Sequence, residues 1–137
     1  LLRSTPFFQE IQKYIAVIQA GSRSGMKAYA RKPIYVVGKL TWQHSALWYA
    51  GTIAHDCYHS KLYHEAKANN QGRDPDPDTW TGTEAEKKCL AFQRQALEAL
   101  NADGNIIAYV QELQEKPTYQ GHTRGWRAWW DYLRRWW

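Results

Sequence analysis

Apolar residues recur at helical spacing in five stretches of the chain, and one short stretch is β-branched and aromatic instead. In TPFFQEIQKYIAVIQA, residues 5–20, Phe7, Phe8, Ile11, Ile15 and Ile18 fall on one face, which predicts a helix. Thr5 suits its cap, Pro6 its first helical position, and Gly21 its end. IYVVGKL, after Pro33, reads as a strand, with one or two further short strands expected nearby, around residues 26–30. Residues 45–68 read as a long helix capped by Ser45, weakened in its first half by Gly51 and Thr52. The following NNQGRDPDPDTWTG reads as an exposed loop, because Pro75 and Pro77 interrupt regular structure. TEAEKKCLAFQRQALEAL is the strongest helical pattern, with Cys89, Phe92, Ala96 and Leu100 inward. Asp103 and Gly104 punctuate the chain before a helix over residues 105–116, with Ile106, Ile107, Val110 and Leu113 inward. Trp126, Trp129, Trp130, Leu133 and Trp137 then repeat at helical spacing. The assembly expected is α+β: one α-rich domain with a small sheet.

The length, 137 residues, suits that single domain, and 44% hydrophobic against 23% charged residues is globular composition. The chain opens on Leu1 rather than Met, so a fragment or a processed product is expected. No apolar run reaches the roughly 18 residues of a membrane span. The net charge of +5 favours loose attraction to anionic surfaces, and four arginines lie between Arg124 and Arg135. Two cysteines, Cys57 and Cys89, are too few for a zinc site made of cysteine alone. If they form a disulfide, a secreted or periplasmic location follows. DPDPD at 74–78 lacks the glycine and closing glutamate of a calcium loop and reads as solvated.

Chemistry concentrates in AHDCYHSKLYHE, residues 54–65. His55 and His59 are four apart, so a helix projects both imidazoles from one face, one turn apart. Two such nitrogens can chelate one Zn²⁺. Asp56 follows His55 directly, where a zinc-peptidase helix carries its general base. His64 lies on the opposite side of the helix from His55 and should face away.

A third ligand is needed, and Glu84 and Glu86 stand at the start of the next helix. Both fit a capping box, with Thr81 or Thr83 as the cap. If Thr81 caps, Glu84 closes the box, and Glu86 lies beside Cys89 and Gln93 at the edge of the buried face. A buried carboxylate needs a partner, and a cation supplies one. Glu86 is therefore the preferred ligand.

His55-Asp-Cys-Tyr-His59 followed by Glu86 resembles the gluzincin zinc metallopeptidases, whose pattern is His-Glu-x-x-His with a distant glutamate. The element order resembles their compact single-domain members, the minigluzincins, over roughly residues 6–100. The chain is expected to be a single zincin-like domain over residues 1–137, with 122–137 a Trp/Arg-rich C-terminal segment that the resemblance does not cover. The resemblance implies a Zn²⁺ held by His55, His59 and Glu86, and hydrolysis of a peptide or protein substrate. A zinc-bound water would attack, and Asp56 would take its proton and pass it to the leaving amine. Here the chain departs from the family, because Asp56 is one methylene shorter than the usual glutamate. Tyr119, His122 and Tyr109 are candidates to steady an oxyanion. An edge strand from IYVVGKL could hold the peptide by strand addition.

The alternative is a non-catalytic cationic and aromatic module for membranes, cell-wall polymers or nucleic acid. A metal-dependent nuclease is a third reading, although no specific nucleic acid is expected. The arginines and tryptophans of residues 126–137 suit an interface, but an aromatic stripe is more often a packed face. Weak contact with anionic surfaces through that segment is the partner expected besides a peptide.

Overall fold

The computed structural model describes residues 1–115. They form an α-rich α+β arrangement with a three-stranded sheet. After a short 3₁₀ turn come α1 (Phe7–Tyr14), β1 (Val17–Gly21), β2 (Gly25–Lys27) and β3 (Ile34–Gly38). Helices α2 (Lys39–His44), α3 (Ala46–Asn69), α4 (Asp78–Thr81), α5 (Thr83–Ala99) and α6 (Gly104–Glu115) follow. Tyr119, His122 and the Trp/Arg-rich segment 122–137 lie outside the described residues.

The first expected helix is half helix and half strand. It stops at Tyr14, and Val17–Gly21 pairs in parallel with β3, Val17 opposite Ile34 and Gly21 opposite Gly38. Ile15, Val17 and Ile18 are β-branched, and side chains stiff at χ1 favour the pleated backbone once a partner strand is present. The expected cap at Thr5 is also absent. Pro6 is the N-cap, with no side-chain cap, and the Thr5 hydroxyl donates to the Leu2 carbonyl at 2.7 Å. The sheet order is β1-β3-β2, with β2 antiparallel to β3. The strand from IYVVGKL is thus central, and the edges belong to β1 and β2.

Helix α3 begins where its cap predicts: the Ser45 hydroxyl accepts from the Trp48 amide at 3.0 Å. One side of the helix joins an apolar cluster of Ile11, Tyr14, Ile15, Tyr35, Val37, Ile53 and Cys57. Tyr35, fully buried, donates its hydroxyl to Thr52 Oγ1 at 3.0 Å and so ties the middle of the sheet to α3. The other side meets α5. Gly51 stands at that approach, where an added Cβ would lie 3.1 Å from Leu97. What reads locally as a helix-weakening residue is a close-packing position. Leu90, Leu97, Ala102 and Val110 make a second apolar cluster, which α6 completes with Ile106, Ile107 and Leu113.

The buried stripe of α5 contains Ala85, Glu86, Cys89, Leu90, Gln93, Ala96 and Leu97. Phe92 and Leu100, expected inward with Cys89 and Ala96, are only half-buried. Phe92 instead fills the flank between Phe7 and Tyr58, each ring 5.0 Å away. The loop before α5 is also more ordered than its prolines suggest. Pro77 is the N-cap of the one-turn helix α4, a position that tolerates a missing amide. Asp74 ties the loop back to α3, accepting from Tyr63 at 2.6 Å and Lys67 at 2.7 Å.

Candidate metal centre

Both histidines of the i, i+4 pair point from α3 towards α5, and Glu86 comes from the first turn of α5 to meet them. Glu86 Oε1 lies 3.3 Å from His55 Nε2, and Oε2 lies 3.1 Å from His59 Nε2. The two Nε2 atoms are themselves 3.1 Å apart. The side chains are 16%, 11% and 4% exposed for His55, His59 and Glu86, so water supplies little of their solvation. Glu84, the rejected alternative, is exposed and paired with Lys87 at 2.7 Å. Glu86 takes the inward position, but not through a capping box. Thr81 belongs to α4, and α5 is capped by Gly82 with no side-chain bond. An added Cβ at Gly82 would sit 2.5 Å from the Asp78 carbonyl, so the tight α4–α5 corner requires glycine there.

The outer nitrogens of both rings are tied back. His59 Nδ1 donates to the Trp80 carbonyl at 2.6 Å, and His55 Nδ1 to Gln93 Oε1 at 3.1 Å. With the proton on Nδ1, each neutral ring turns a bare Nε2 lone pair inward. Two lone pairs and two carboxylate oxygens then converge with no hydrogen of their own between them. That arrangement is repulsive unless a cation sits among them, either protons on the rings or one divalent metal. The spacing suits a metal. Bonds of 2.0–2.1 Å at tetrahedral angles place ligand atoms about 3.3 Å apart, against the 3.1–3.3 Å found. The tied-back Nδ1 atoms are the outer support such ligands use.

The electrostatics follow from this crowding. Burial alone would raise Glu86, but hydrogen bonds and charge from the two histidines hold it down to about 2. Burial would lower His59, but Glu86, Asp56 and the Trp80 carbonyl together raise it. Asp56 is 8% exposed, and burial pushes it up to about 6. His55 and His59 oppose that rise, and Glu86 adds to it.

Cys89 also belongs here. A ring nitrogen of each histidine and the Cys89 sulfur all lie within 4.8 Å of one another. Burial pushes its thiol far up, with Glu86 and Asp56 adding to the rise. Cys57 is buried in the apolar cluster on the other side of α3, and both cysteines are free thiols. The disulfide considered from sequence is therefore not formed.

His64 faces away from the cluster, its ring stacked 6.3 Å from Tyr14 and its pKa lowered by burial. Tyr109, on α6, packs against Trp48 at 5.9 Å. Sequence reasoning missed three participants: Gln93, the Trp80 carbonyl and Cys89. Gln93 and Cys89 were legible as neighbours of Glu86 on one helical face, but their use depends on how α3 crosses α5. The Trp80 carbonyl carries no sequence signal. No helix among the described residues is long and apolar enough to cross a membrane. Compared with known proteins, the chain matches no family model, no curated protein and no solved structure.

Proposed function

We propose that His55, His59 and Glu86 hold one Zn²⁺ and that the chain is a small zinc-dependent hydrolase, first of all a metallopeptidase. The observation that carries this reading is the convergence of the His55 and His59 Nε2 atoms, 3.1 Å apart, on the buried Glu86 carboxylate, whose oxygens lie 3.3 and 3.1 Å from them. Bound there, zinc would supply a Lewis acid that polarises a carbonyl and brings a water's pKa towards about 7.

The protein's own groups do the rest. Gln93 and the Trp80 carbonyl fix the ring tautomers, so both Nε2 atoms stay available. Glu86 offsets one unit of the ion's charge inside the buried site. Asp56, next in sequence to His55 and buried beside the cluster, accepts a proton at its carboxylate and returns it to the leaving amine. A peptide is the substrate class because this ligand set with an adjacent carboxylate resembles the gluzincin arrangement.

The test is metal analysis of purified protein, followed by peptide hydrolysis before and after chelation. About one zinc per chain is expected for a single three-ligand site. Glu86→Gln should release the metal, and Glu84→Gln should retain it. Protein that neither contains zinc nor takes it up would end this reading.

A further inference from the structure

Resting on the metal centre proposed above, we propose that Cys89 is a fourth protein ligand that closes it, giving a His55–His59–Glu86–Cys89 set for a thiophilic divalent ion. Glu86 and Cys89 are three apart on α5, so they project from one face, one turn apart. His55 and His59 do the same from α3. Two helices thus bring Glu86 and Cys89, each separately, to the histidine pair.

The Cys89 sulfur is fully buried and within 4.8 Å of a ring nitrogen of each histidine. A tetrahedral zinc with nitrogen at 2.0–2.1 Å and sulfur at 2.3 Å needs about 3.6 Å between them. Ligation requires the sulfur to close the remaining distance of about 1 Å. A buried cysteine is most often a small core residue, and Cys57 fits that description among Ile11, Tyr35 and Ile53. Cys89 belongs to neither apolar cluster and faces the histidines instead.

Thiolate ligation favours zinc-like ions over magnesium, calcium or manganese. It also occupies the position that water needs in an open catalytic site. Cys89 is therefore an internal occupant of the centre, and hydrolysis requires it to swing off the metal.

The full chain loaded with Co²⁺ in place of zinc tests this. Visible absorption of tetrahedral cobalt reports uptake of the ion into a four-coordinate site. A near-ultraviolet thiolate-to-cobalt charge-transfer band reports Cys89. Both are expected in the wild type, with the near-ultraviolet band lost in Cys89→Ser and kept in Cys57→Ser. Visible absorption without the near-ultraviolet band in the wild type would overturn the ligation and leave the three-residue site standing. Failure to take up cobalt at all would remove the three-residue site and the fourth ligand with it.

Discussion

Helix α3 carries two regions that differ by only two residues in sequence. Ile53 and Cys57 lie in the apolar cluster with Ile11, Tyr35 and Val37, while His55 and His59 meet Glu86 on the other side. A two-residue offset is about 200° of helix, so the same helix serves opposite surroundings. The apolar side stabilises by removing surface from water, in proportion to area. The polar side removes a carboxylate and two imidazoles from water, which costs stability unless a cation compensates. One region holds the helix in position, and the other is the proposed metal centre. If so, damage to each side should appear in a different measurement.

The largest effect is expected at Asp56. Asp56→Asn keeps the size and hydrogen-bonding shape of the side chain but removes its capacity to take a proton. Hydrolysis should fall by about 10²–10⁴-fold while zinc content stays near one per chain. Asp56→Glu restores the longer carboxylate of the resembled family and tests whether the site is shaped for the shorter one. Unchanged hydrolysis in fully loaded Asp56→Asn would remove Asp56 from the mechanism.

On the apolar side, Ile53→Ala deletes buried methyl and methylene groups among close-packed neighbours. It should lower unfolding free energy by about 2–5 kcal/mol. Zinc stoichiometry in the folded protein should not change, because Ile53 faces away from the histidines. Denaturant unfolding paired with metal analysis checks both. Zinc loss from still-folded protein would mean that the two sides are not separable.

Gln93→Ala is the matching change on the polar side. It removes the acceptor for His55 Nδ1 and frees the ring to rotate or change tautomer. Loss of such a supporting partner weakens metal binding by about 10–100-fold. A competition titration with a chromophoric chelator measures this. Affinity equal to the wild type would show that the His55–Gln93 bond does not prepare the site.

The two regions were also unequally legible in sequence. His55 and His59 could be paired from spacing alone, by helical geometry, and Glu86 could be preferred to Glu84 from its side of the helix together with a capping box at Thr81. The capping box invoked for that preference is not there, since the chain makes a separate turn at Asp78–Thr81 and starts α5 from Gly82. The apolar side was read less well. Ile15 and Ile18 continue the helical spacing of α1, yet the helix stops at Tyr14 and Val17–Gly21 forms strand β1, because pairing with β3 is a long-range term that local periodicity does not contain. The same limit put the strand Ile34–Gly38 at an edge when it is central. Gly51 reads as a local weakness until Leu97 is seen against it. Positions that depend on one helix could be read, and those that depend on where a second element lands could not.

The smallest effect tests whether α3 holds its place as a rigid unit. Ser45 caps the helix ten residues before His55, in extended backbone, and its hydroxyl accepts from the Trp48 amide. Ser45→Ala leaves that amide without its side-chain acceptor, which costs about 1 kcal/mol at a typical N-cap. Ser45→Gly, which lets water reach the amide, should cost only a few tenths of a kcal/mol relative to serine. Neither change touches the proposed metal ligands, whose histidines are held by packing against α5 and by the bonds to Gln93 and Trp80. Zinc affinity should therefore match the wild type in both variants, while the thermal midpoint falls more for alanine than for glycine. If Ser45→Ala loosens zinc as well, fraying at the start of α3 reaches the site nearly three turns away. The apolar side would then not be what fixes the histidines, and the division of labour across the helix would fail at its premise.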